Sequence, residues 1–202
     1  MLKHYTYKGL VAGCDEAGRG CLAGPVFAAT VVLPKKYKNK DLDDSKKIGT
    51  HAQRLELRKD IEAKALYFAV AKSSPKEIDK YNILNASFRT MHKAVGKLSV
   101  SPDLLLIDGN RFNPYKGFNY ETIIKGDGIY YSIAAASILA KTYRDEYMER
   151  LSKKFPNYAW QSNMGYPTKA HREAIKTYGP CKHHRQTFRL YPGYEKIGLT
   201  KK

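Results

Sequence analysis

Short apolar runs alternate with amphipathic stretches along the chain, and this alternation predicts strands interspersed with helices. Runs rich in β-branched and aromatic residues predict strands at about 10–14, 27–33, 66–71, 104–107 and 120–124. The run 104–107 is continuously apolar between Pro102 and Gly109, which is typical of a strand buried on both faces.

Helical periodicity and capping residues predict helices at about 51–64, 75–81, 84–98, 132–151 and 167–178. Thr50 is the expected N-cap of the first, and Gly179-Pro180 ends the last. The helix 132–151 has a small, apolar first half that can pack closely against a sheet and a charged second half that we expect to be exposed. We interpret Ser132 and Ser137 as capping and packing residues of this helix.

The order of these elements predicts an α/β fold with a mixed sheet, antiparallel at first and parallel later. A chain of 202 residues is long enough for one well-buried core and short for two. We therefore expect one domain over 1–202, with about 158–202 as a helical and basic C-terminal extension.

The formal net charge is +17, which predicts a polyanionic partner and salt-sensitive binding. Nucleic acid is favoured over a membrane surface because no long apolar or amphipathic anchor is visible. Residues 1–8 lack an apolar signal core, and the three cysteines have no metal-binding spacing. These features predict a cytoplasmic protein in a reducing compartment, and we expect a monomer.

Four acidic residues follow or end predicted elements at positions where sites are often built. Asp15 and Glu16 end the first strand, Asp108 follows the buried strand, and Asp127 lies between two glycines before the long helix. An Asp-Glu pair alone favours a solvated acidic turn. Four converging carboxylates would instead need a hard divalent cation, and a basic surface around them indicates phosphodiester chemistry with two metal ions.

A set of motifs occurs in order along the chain. The motifs are Gly13-Cys14-Asp15-Glu16-Ala17-Gly18-Arg19-Gly20, Asp44-Ser45-Lys46-Lys47, Ile107-Asp108-Gly109, Lys125-Gly126-Asp127, the segment 132–141, and Gly165-Tyr166-Pro167-Thr168 with His171. This ordered set resembles the ribonuclease HII family, the type 2 ribonucleases H. The resemblance spans about 13–188, and the ordered set is far more specific than any single motif.

The resemblance implies a ribonuclease H-like fold, a mixed five-stranded sheet flanked by helices with a C-terminal helical extension. It implies hydrolysis of the RNA strand of RNA–DNA hybrids, including 5′ of single ribonucleotides embedded in duplex DNA, to a 3′-hydroxyl and a 5′-phosphate. It also implies two divalent ions, Mg²⁺ or Mn²⁺, and a role in removing misincorporated ribonucleotides and RNA primers.

The same resemblance assigns roles to individual residues. The metal ligands would be Asp15, Glu16, Asp108 and Asp127. Gly18, Arg19 and Gly20 would contact the ribonucleotide's 2′-hydroxyl, largely through the backbone, and Tyr166 would stack on the sugar at the RNA–DNA junction. Lys46 and Lys47 match a lysine region near substrate phosphates, but both could equally be solvated charges.

Three positions depart from the family's common pattern. Met164 stands where a lysine often precedes the Gly-Tyr-Pro-Thr segment, so one phosphate contact is expected to be missing. Cys14 replaces a more usual aliphatic residue, and Cys181-Lys182 replaces a frequent Ser-Pro. These departures bear on the grip on substrate and leave all four carboxylates in place.

Other residues offer alternative chemistry. Asp145 could be a fourth acid, although Lys141 at i−4 gives it a structural role, and we prefer Asp127. His171 and His184 are expected at a helix surface or beside phosphates, because metal-activated water needs no histidine base. Cys14 and Cys21 flank the acids without an evident Cys-His-acid relay.

Two rival functions and one protein partner stay open at this stage. A DNA resolvase or integrase-like nuclease would share the fold, and a basic packaging protein without catalysis would share the charge. The Gly18–Gly20 motif with Tyr166 argues against the first rival, and the acids at strand ends argue against the second. The basic segment 191–202 could bind a sliding clamp or be a frayed end.

Overall fold

A mixed five-stranded sheet lies at the centre of the computed structural model, which describes residues 1–43 and 50–194. Its order is β3-β2-β1-β4-β5. Strand β1 pairs antiparallel with β2 and parallel with β4, while β2–β3 is antiparallel and β4–β5 parallel, which confirms the predicted mixed sheet. The strands are β1 Val11–Ala17, β2 Val26–Val32, β3 Tyr67–Ser73, β4 Leu104–Asp108 and β5 Tyr120–Ile123.

Helices cover both faces of this sheet and form the C-terminal extension. The predicted helices are present within a few residues, and short helices at 40–43 and 160–163 and two 3₁₀ turns were not predicted. The helices are α1 Lys40–Asp43, α2 His51–Lys64, α3 Pro75–Tyr81, α4 Ile83–Val95, α5 Tyr131–Lys154, α6 Trp160–Asn163 and α7 Lys169–Tyr178, with 3₁₀ turns at Gly126–Gly128 and Pro156–Tyr158.

Two boundaries correct the sequence-based prediction. Strand β1 continues to Ala17, so Asp15 and Glu16 lie inside the strand rather than after it. Helix α5 begins at Tyr131, so Ser132 lies inside its first turn and does not cap it. No helix within the described residues is long and apolar enough to cross a bilayer.

The two faces of β1 and β2 are covered by different helices because side chains alternate along a strand. Ala29 and Val31 pack with the small residues of α5, whereas Ala28 and Val32 pack with Phe88 of α4. Small residues in the first half of α5 let its backbone approach the sheet closely. The acidic end of β1 is therefore positioned by α5.

Gly13 marks the closest approach between α5 and the sheet. A Cβ atom added at Gly13 would lie 2.2 Å from the carbonyl carbon of Ser132 and 2.4 Å from the backbone nitrogen of Ile133. Both are backbone atoms, so relief requires the helix to move. We expect Gly13→Ala to lower the free energy of unfolding by about 1–3 kcal/mol in a denaturant titration.

The matched control is Gly20→Ala. A Cβ at Gly20 would have no heavy atom within 4 Å, and the residue is not in a left-handed conformation. Its stability should stay within about 0.5 kcal/mol of the wild type. Equal stability of the Gly13 and Gly20 variants would show that the helix is not constrained at this contact.

The C-terminal extension packs on the second half of α5. Met148 and Leu151 of α5 form a cluster with the fully buried Trp160, and with Ile175 of α7. The Thr168 side chain accepts a hydrogen bond from the backbone of His171, so α7 starts two residues later than predicted. The second half of α5 is thus partly buried, contrary to the expectation from its charges.

Candidate active site

Three of the four candidate acids lie at one end of two neighbouring parallel strands. Cys14 in β1 is level with Ile107 in β4, so the next residues, Asp15 and Asp108, are level on strands that are about 4.8 Å apart. Glu16 follows Asp15. This end of the sheet is where the sequence predicted the acids to meet.

Asp127 joins this group through the 3₁₀ turn that follows β5. The backbone nitrogen of Gly126 donates to Asp108 Oδ1 at 2.7 Å, which fixes the turn against the end of β4. Burial raises the pKa of Asp108, and the nearby charge of Asp127 raises it further. Asp127 is therefore electrostatically coupled to the strand-end acids.

Asp15 is the most buried acid of the group, with 6% of its surface exposed. It accepts hydrogen bonds from the backbone nitrogen of Glu16 at 2.7 Å and from the side chain of Ser137 on α5. Burial and the charges of Glu16 and Asp108 hold the pKa of Asp15 well above its usual range. Ser137, predicted as a packing residue of α5, thus also hydrogen-bonds Asp15, a candidate metal ligand.

Glu16 points to a different partner, the guanidinium of Arg19. Arg19 Nη1 donates to Glu16 Oε1 at 3.1 Å, and this charge opposes the rise in the pKa of Glu16 that burial causes. Within residues 1–43 and 50–194, no three acidic, histidine or cysteine side chains are close enough, as they stand, to hold one metal ion. The acids form a coupled group rather than a closed metal cage.

Arg185 holds the glycine-arginine-glycine loop after β1 from the protein interior. This fully buried side chain donates from Nη2 to the carbonyl of Gly18 at 2.7 Å and from Nη1 to that of Arg19 at 2.8 Å, and it also reaches the carbonyl of Gly24. Burial lowers the pKa of Arg185 to about 10, so the group stays charged at neutral pH. Its charge is compensated in part by these carbonyl dipoles.

A second buried arginine, Arg144 of α5, connects the same loop to the segment before Tyr166. Its Nε donates to the carbonyl of Pro25 at 3.2 Å, its Nη2 to that of Ala23 at 3.1 Å, and its Nη1 to that of Met164 at 2.9 Å. Gly18 has a φ of +96°, and a Cβ there would lie 2.1 Å from Arg144 Nε. Glycine is required at this position for both reasons.

Tyr166 lies beside this loop and is 39% exposed. The carbonyl of Gly165 accepts from the backbone of Leu22 at 2.8 Å, which brings the two segments together. The phenol hydroxyl hydrogen-bonds with Cys21, and Lys141 Nζ lies 5.8 Å from the ring centroid. The structure therefore places Tyr166, the loop and the acids at one end of the sheet.

Neither Arg144 nor Arg185 was singled out from the sequence. The charged second half of α5 predicted exposure, but Arg144 falls at helical spacing from Ala140, Met148 and Leu151, which are all buried. This helical spacing from apolar residues was the sequence signal that Arg144 is buried. Arg185 lies in a stretch without period, where the sequence carried no comparable signal.

The alternative candidates occupy structural positions. Asp145 is buried and pairs with Lys141 Nζ at 2.6 Å, as its spacing predicted. The expectation of exposed histidines is wrong, because His171 and His184 are buried beside Trp160. These rings pack in the core of the extension, so neither can approach a phosphate from solvent.

The cysteines beside the acids are also buried, and burial raises the pKa of Cys14 to about 12, which disfavours a thiolate nucleophile. The carbonyl of Met164 accepts from Arg144, and its side chain packs against the buried cluster of the extension. Lys46 and Lys47 lie outside the described residues.

Comparisons with known proteins agree with this architecture. The family model described as Ribonuclease HII matches residues 12–191. A ribonuclease HII of Parabacteroides distasonis is 57% identical over 200 residues, which cover 98% of this chain and 100% of that protein.

Two solved structures share the fold, each covering 90% of this chain with 27% identity. They are the ribonuclease H2 of Pyrococcus horikoshii, with a TM-score of 0.76 and 94% of that chain covered, and the RNase HII of Archaeoglobus fulgidus in its complex with PCNA, with a TM-score of 0.74 and 96% covered. The chain therefore belongs to the ribonuclease HII family and is a hydrolase of the ribonuclease H type.

Proposed function

We propose that this enzyme, beyond acting on the RNA strand of RNA–DNA hybrids as its family does, cuts 5′ of single ribonucleotides in duplex DNA and leaves a 3′-hydroxyl and a 5′-phosphate. The observation that supports this most is the common location of the acids, the Gly18–Gly20 loop and Tyr166. Cleavage chemistry and recognition of one nucleotide would then share one end of the sheet. Its cellular role would be removal of misincorporated ribonucleotides and RNA primers.

The acids suit a divalent metal by their chemistry. Carboxylate oxygens are the donors that Mg²⁺ and Mn²⁺ prefer, and the raised pKa values of Asp15, Glu16 and Asp108 indicate a group short of positive charge. Asp15, Glu16, Asp108 and Asp127 would hold the ions. Two bound ions would supply an activated water and stabilise the leaving oxygen.

Binding requires these side chains to change partners. Glu16 would leave Arg19, with which it now pairs at 3.1 Å, and Arg19 would become free to approach the substrate. Asp15 would keep its hydrogen bond from Ser137 on α5 while it interacts with the charge of Asp108. The exchange of Glu16 from arginine to metal would couple metal loading to release of the Arg19 side chain.

Recognition would depend on backbone groups of the loop. A 2′-hydroxyl both donates and accepts hydrogen bonds, and it distinguishes RNA from DNA at a single nucleotide. Because Arg185 occupies the carbonyls of Gly18 and Arg19 from the protein interior, the loop keeps one conformation while its outer side faces the substrate. Tyr166, held next to this loop, would pack on the following deoxyribose.

The excess of positive charge supports binding of the duplex, with an affinity that falls as salt rises. The Archaeoglobus relative is found with PCNA, so a sliding clamp is the protein partner to test for this chain. The candidate segment is 191–202, of which 195–202 lie outside the described residues.

Three matched duplexes test the proposed function: one ribonucleotide in DNA, a continuous RNA tract paired with DNA, and DNA alone, each with Mg²⁺ and with Mn²⁺. We expect cleavage of the first two and none of the third, with the break 5′ of the single ribonucleotide. Equal cutting of the all-DNA duplex would favour a resolvase-like nuclease. Binding of all three without cleavage would favour the packaging protein.

A further inference from the structure

Two buried histidines of the C-terminal extension contact each other, and one of them contacts the backbone of Tyr166. His171 Nε2 and His184 Nε2 are 3.2 Å apart, and both residues are at most 1% exposed. Trp160 Nε1 donates to His171 Nε2 at 2.9 Å. The function proposed above uses neither histidine.

The neighbours of the two rings fix their protonation. His171 Nδ1 faces the carbonyl of Tyr166 at 2.9 Å, so Nδ1 carries the proton, and Nε2 is the acceptor for Trp160. The backbone nitrogen of Cys181 donates to His184 Nδ1 at 3.0 Å, so His184 carries its proton on Nε2. This N–H faces His171 Nε2 at 3.2 Å and shares its single lone pair with Trp160. Every ring nitrogen thus has a partner of the correct type when both rings are neutral.

Burial and nearby positive charge keep the pair in this neutral form. Burial lowers the pKa of both rings, with Arg172 adding to the effect at His171, and the pKa of His184 falls to about 3. Protonation of either ring would place a second donor where an acceptor is needed. The chain of hydrogen bonds from Cys181 to Tyr166 therefore has one direction throughout.

This chain ends on the backbone of the residue that would recognise the substrate. The carbonyl of Tyr166 also accepts from the backbone of Thr168 at 2.9 Å. The carbonyl of the preceding residue, Gly165, accepts from the backbone of Leu22, two residues beyond the Gly18–Gly20 loop. Gly165 has a φ of +80°, and a Cβ there would lie 2.6 Å from the carbonyl oxygen of Ala23. The segment is therefore held from the histidine side and from the loop side.

We propose that His171 and His184 are positioning residues. Through the hydrogen bond from His171 Nδ1 to the Tyr166 carbonyl, they fix the position and orientation of Tyr166 relative to the Gly18–Gly20 loop. This inference rests on the proposed function of Tyr166 at the RNA–DNA junction. It predicts that the pair controls selection of junctions over continuous hybrids, a property that packing alone would not control.

Two substitutions of His171 separate positioning from packing. In His171→Asn the amide nitrogen lies near the position of Nδ1 and can still donate to the Tyr166 carbonyl, whereas His171→Gln retains a polar group near Nε2 and loses that donor. We expect His171→Gln to lower kcat/KM for a single-ribonucleotide duplex, relative to that for a continuous hybrid, by about three- to tenfold. The ratio for His171→Asn should stay within about twofold of the wild type.

Tyr166→Ala is the reference variant, and it should reduce the same ratio at least as much as His171→Gln. If Tyr166→Ala leaves the ratio unchanged, the proposed role of Tyr166 is wrong and this inference falls with it. If Tyr166→Ala lowers the ratio but the two His171 variants behave alike, the positioning role is refuted while the proposed function stands.

Nitrogen NMR of the wild-type protein provides a test that does not depend on any variant folding. We expect neutral rings at pH 7, with the proton on Nδ1 of His171 and on Nε2 of His184. The opposite tautomer of His171 would overturn the inference, because Nδ1 would then carry no proton for the Tyr166 carbonyl. A charged His171 would also contradict it, because Nε2 could no longer accept from Trp160 and His184.

Discussion

Asp108→Asn should bind a ribonucleotide-containing duplex and fail to cut it, with the cleavage rate reduced at least about 10³-fold, or about 4 kcal/mol in the barrier. Asparagine keeps the shape of the side chain but removes the negative charge that would hold a divalent ion beside Asp15. The measurement is single-turnover cleavage together with a binding titration, so that loss of chemistry is separated from loss of affinity.

The control for this variant is Glu121→Gln on β5. Glu121 is exposed and accepts a hydrogen bond from Tyr5, outside the acid group, so its removal should leave the rate within about twofold. Asp145→Asn tests the rival fourth acid. A larger loss of rate in Asp145→Asn than in Asp127→Asn would move the assignment to Asp145.

The same acids should make the metal-free protein less stable. The pKa of Asp15 is raised in the folded state, so folding favours its protonated form, and the free energy of unfolding should fall as pH rises above the unfolded value of about 3.9 through the folded pKa. Asp15→Asn should reduce this dependence, with Glu16 and Asp108 supplying the rest, and should stabilise the metal-free protein by about 1–3 kcal/mol at neutral pH. A destabilised Asp15→Asn protein would show that the carboxylate is compensated in another way.

Arg185→Met should cause the largest loss of stability, about 3 kcal/mol or more in a denaturant titration. The substitution leaves the carbonyl groups of Gly18, Arg19 and Gly24 without their buried donor, and each unsatisfied group costs about 1–3 kcal/mol. The loop should then lose its fixed conformation. Cleavage at single ribonucleotides should fall more than cleavage of continuous hybrids, measured at a temperature where the variant is folded.

The matched control is the same substitution at Arg150, which pairs with Glu146 on an exposed face of α5 at 2.6 Å. Arg150→Met should change the free energy of unfolding by no more than about 0.5 kcal/mol. If Arg185→Met is as stable as Arg150→Met and cuts single ribonucleotides normally, the loop does not depend on the buried guanidinium.

Much of the fold follows from local sequence signals. The run at 104–107 predicted a strand buried on both faces because every residue is apolar, and these four residues of β4 are buried between β1 and β5. Thr50 caps its helix as predicted, with a side chain that accepts from the third residue of the helix. The predictions that failed concern side chains whose partners come close only in the folded protein.

The acids could be predicted as a group because strand ends that share a direction meet at one edge of a sheet. The buried side chains that hold the neighbouring loop and Tyr166 in place could not be predicted. Arg144 was expected at the surface, since charge alone predicts exposure, and no signal marked Arg185. The carbonyls that accept from these two side chains come from residues up to 167 positions away in the sequence. The burial of the histidines was not predicted because their hydrogen-bond partners, Trp160 and Cys181, meet them only once the extension has packed.

The most direct test of the central claim is anomalous diffraction from crystals of the wild-type protein containing Mn²⁺. We predict anomalous density between the carboxylates of Asp15 and Asp108, with Glu16 released from Arg19 toward the ion. Density elsewhere on the protein, with Glu16 still paired to Arg19 at a saturating Mn²⁺ concentration, would contradict the assignment of these acids as the metal site.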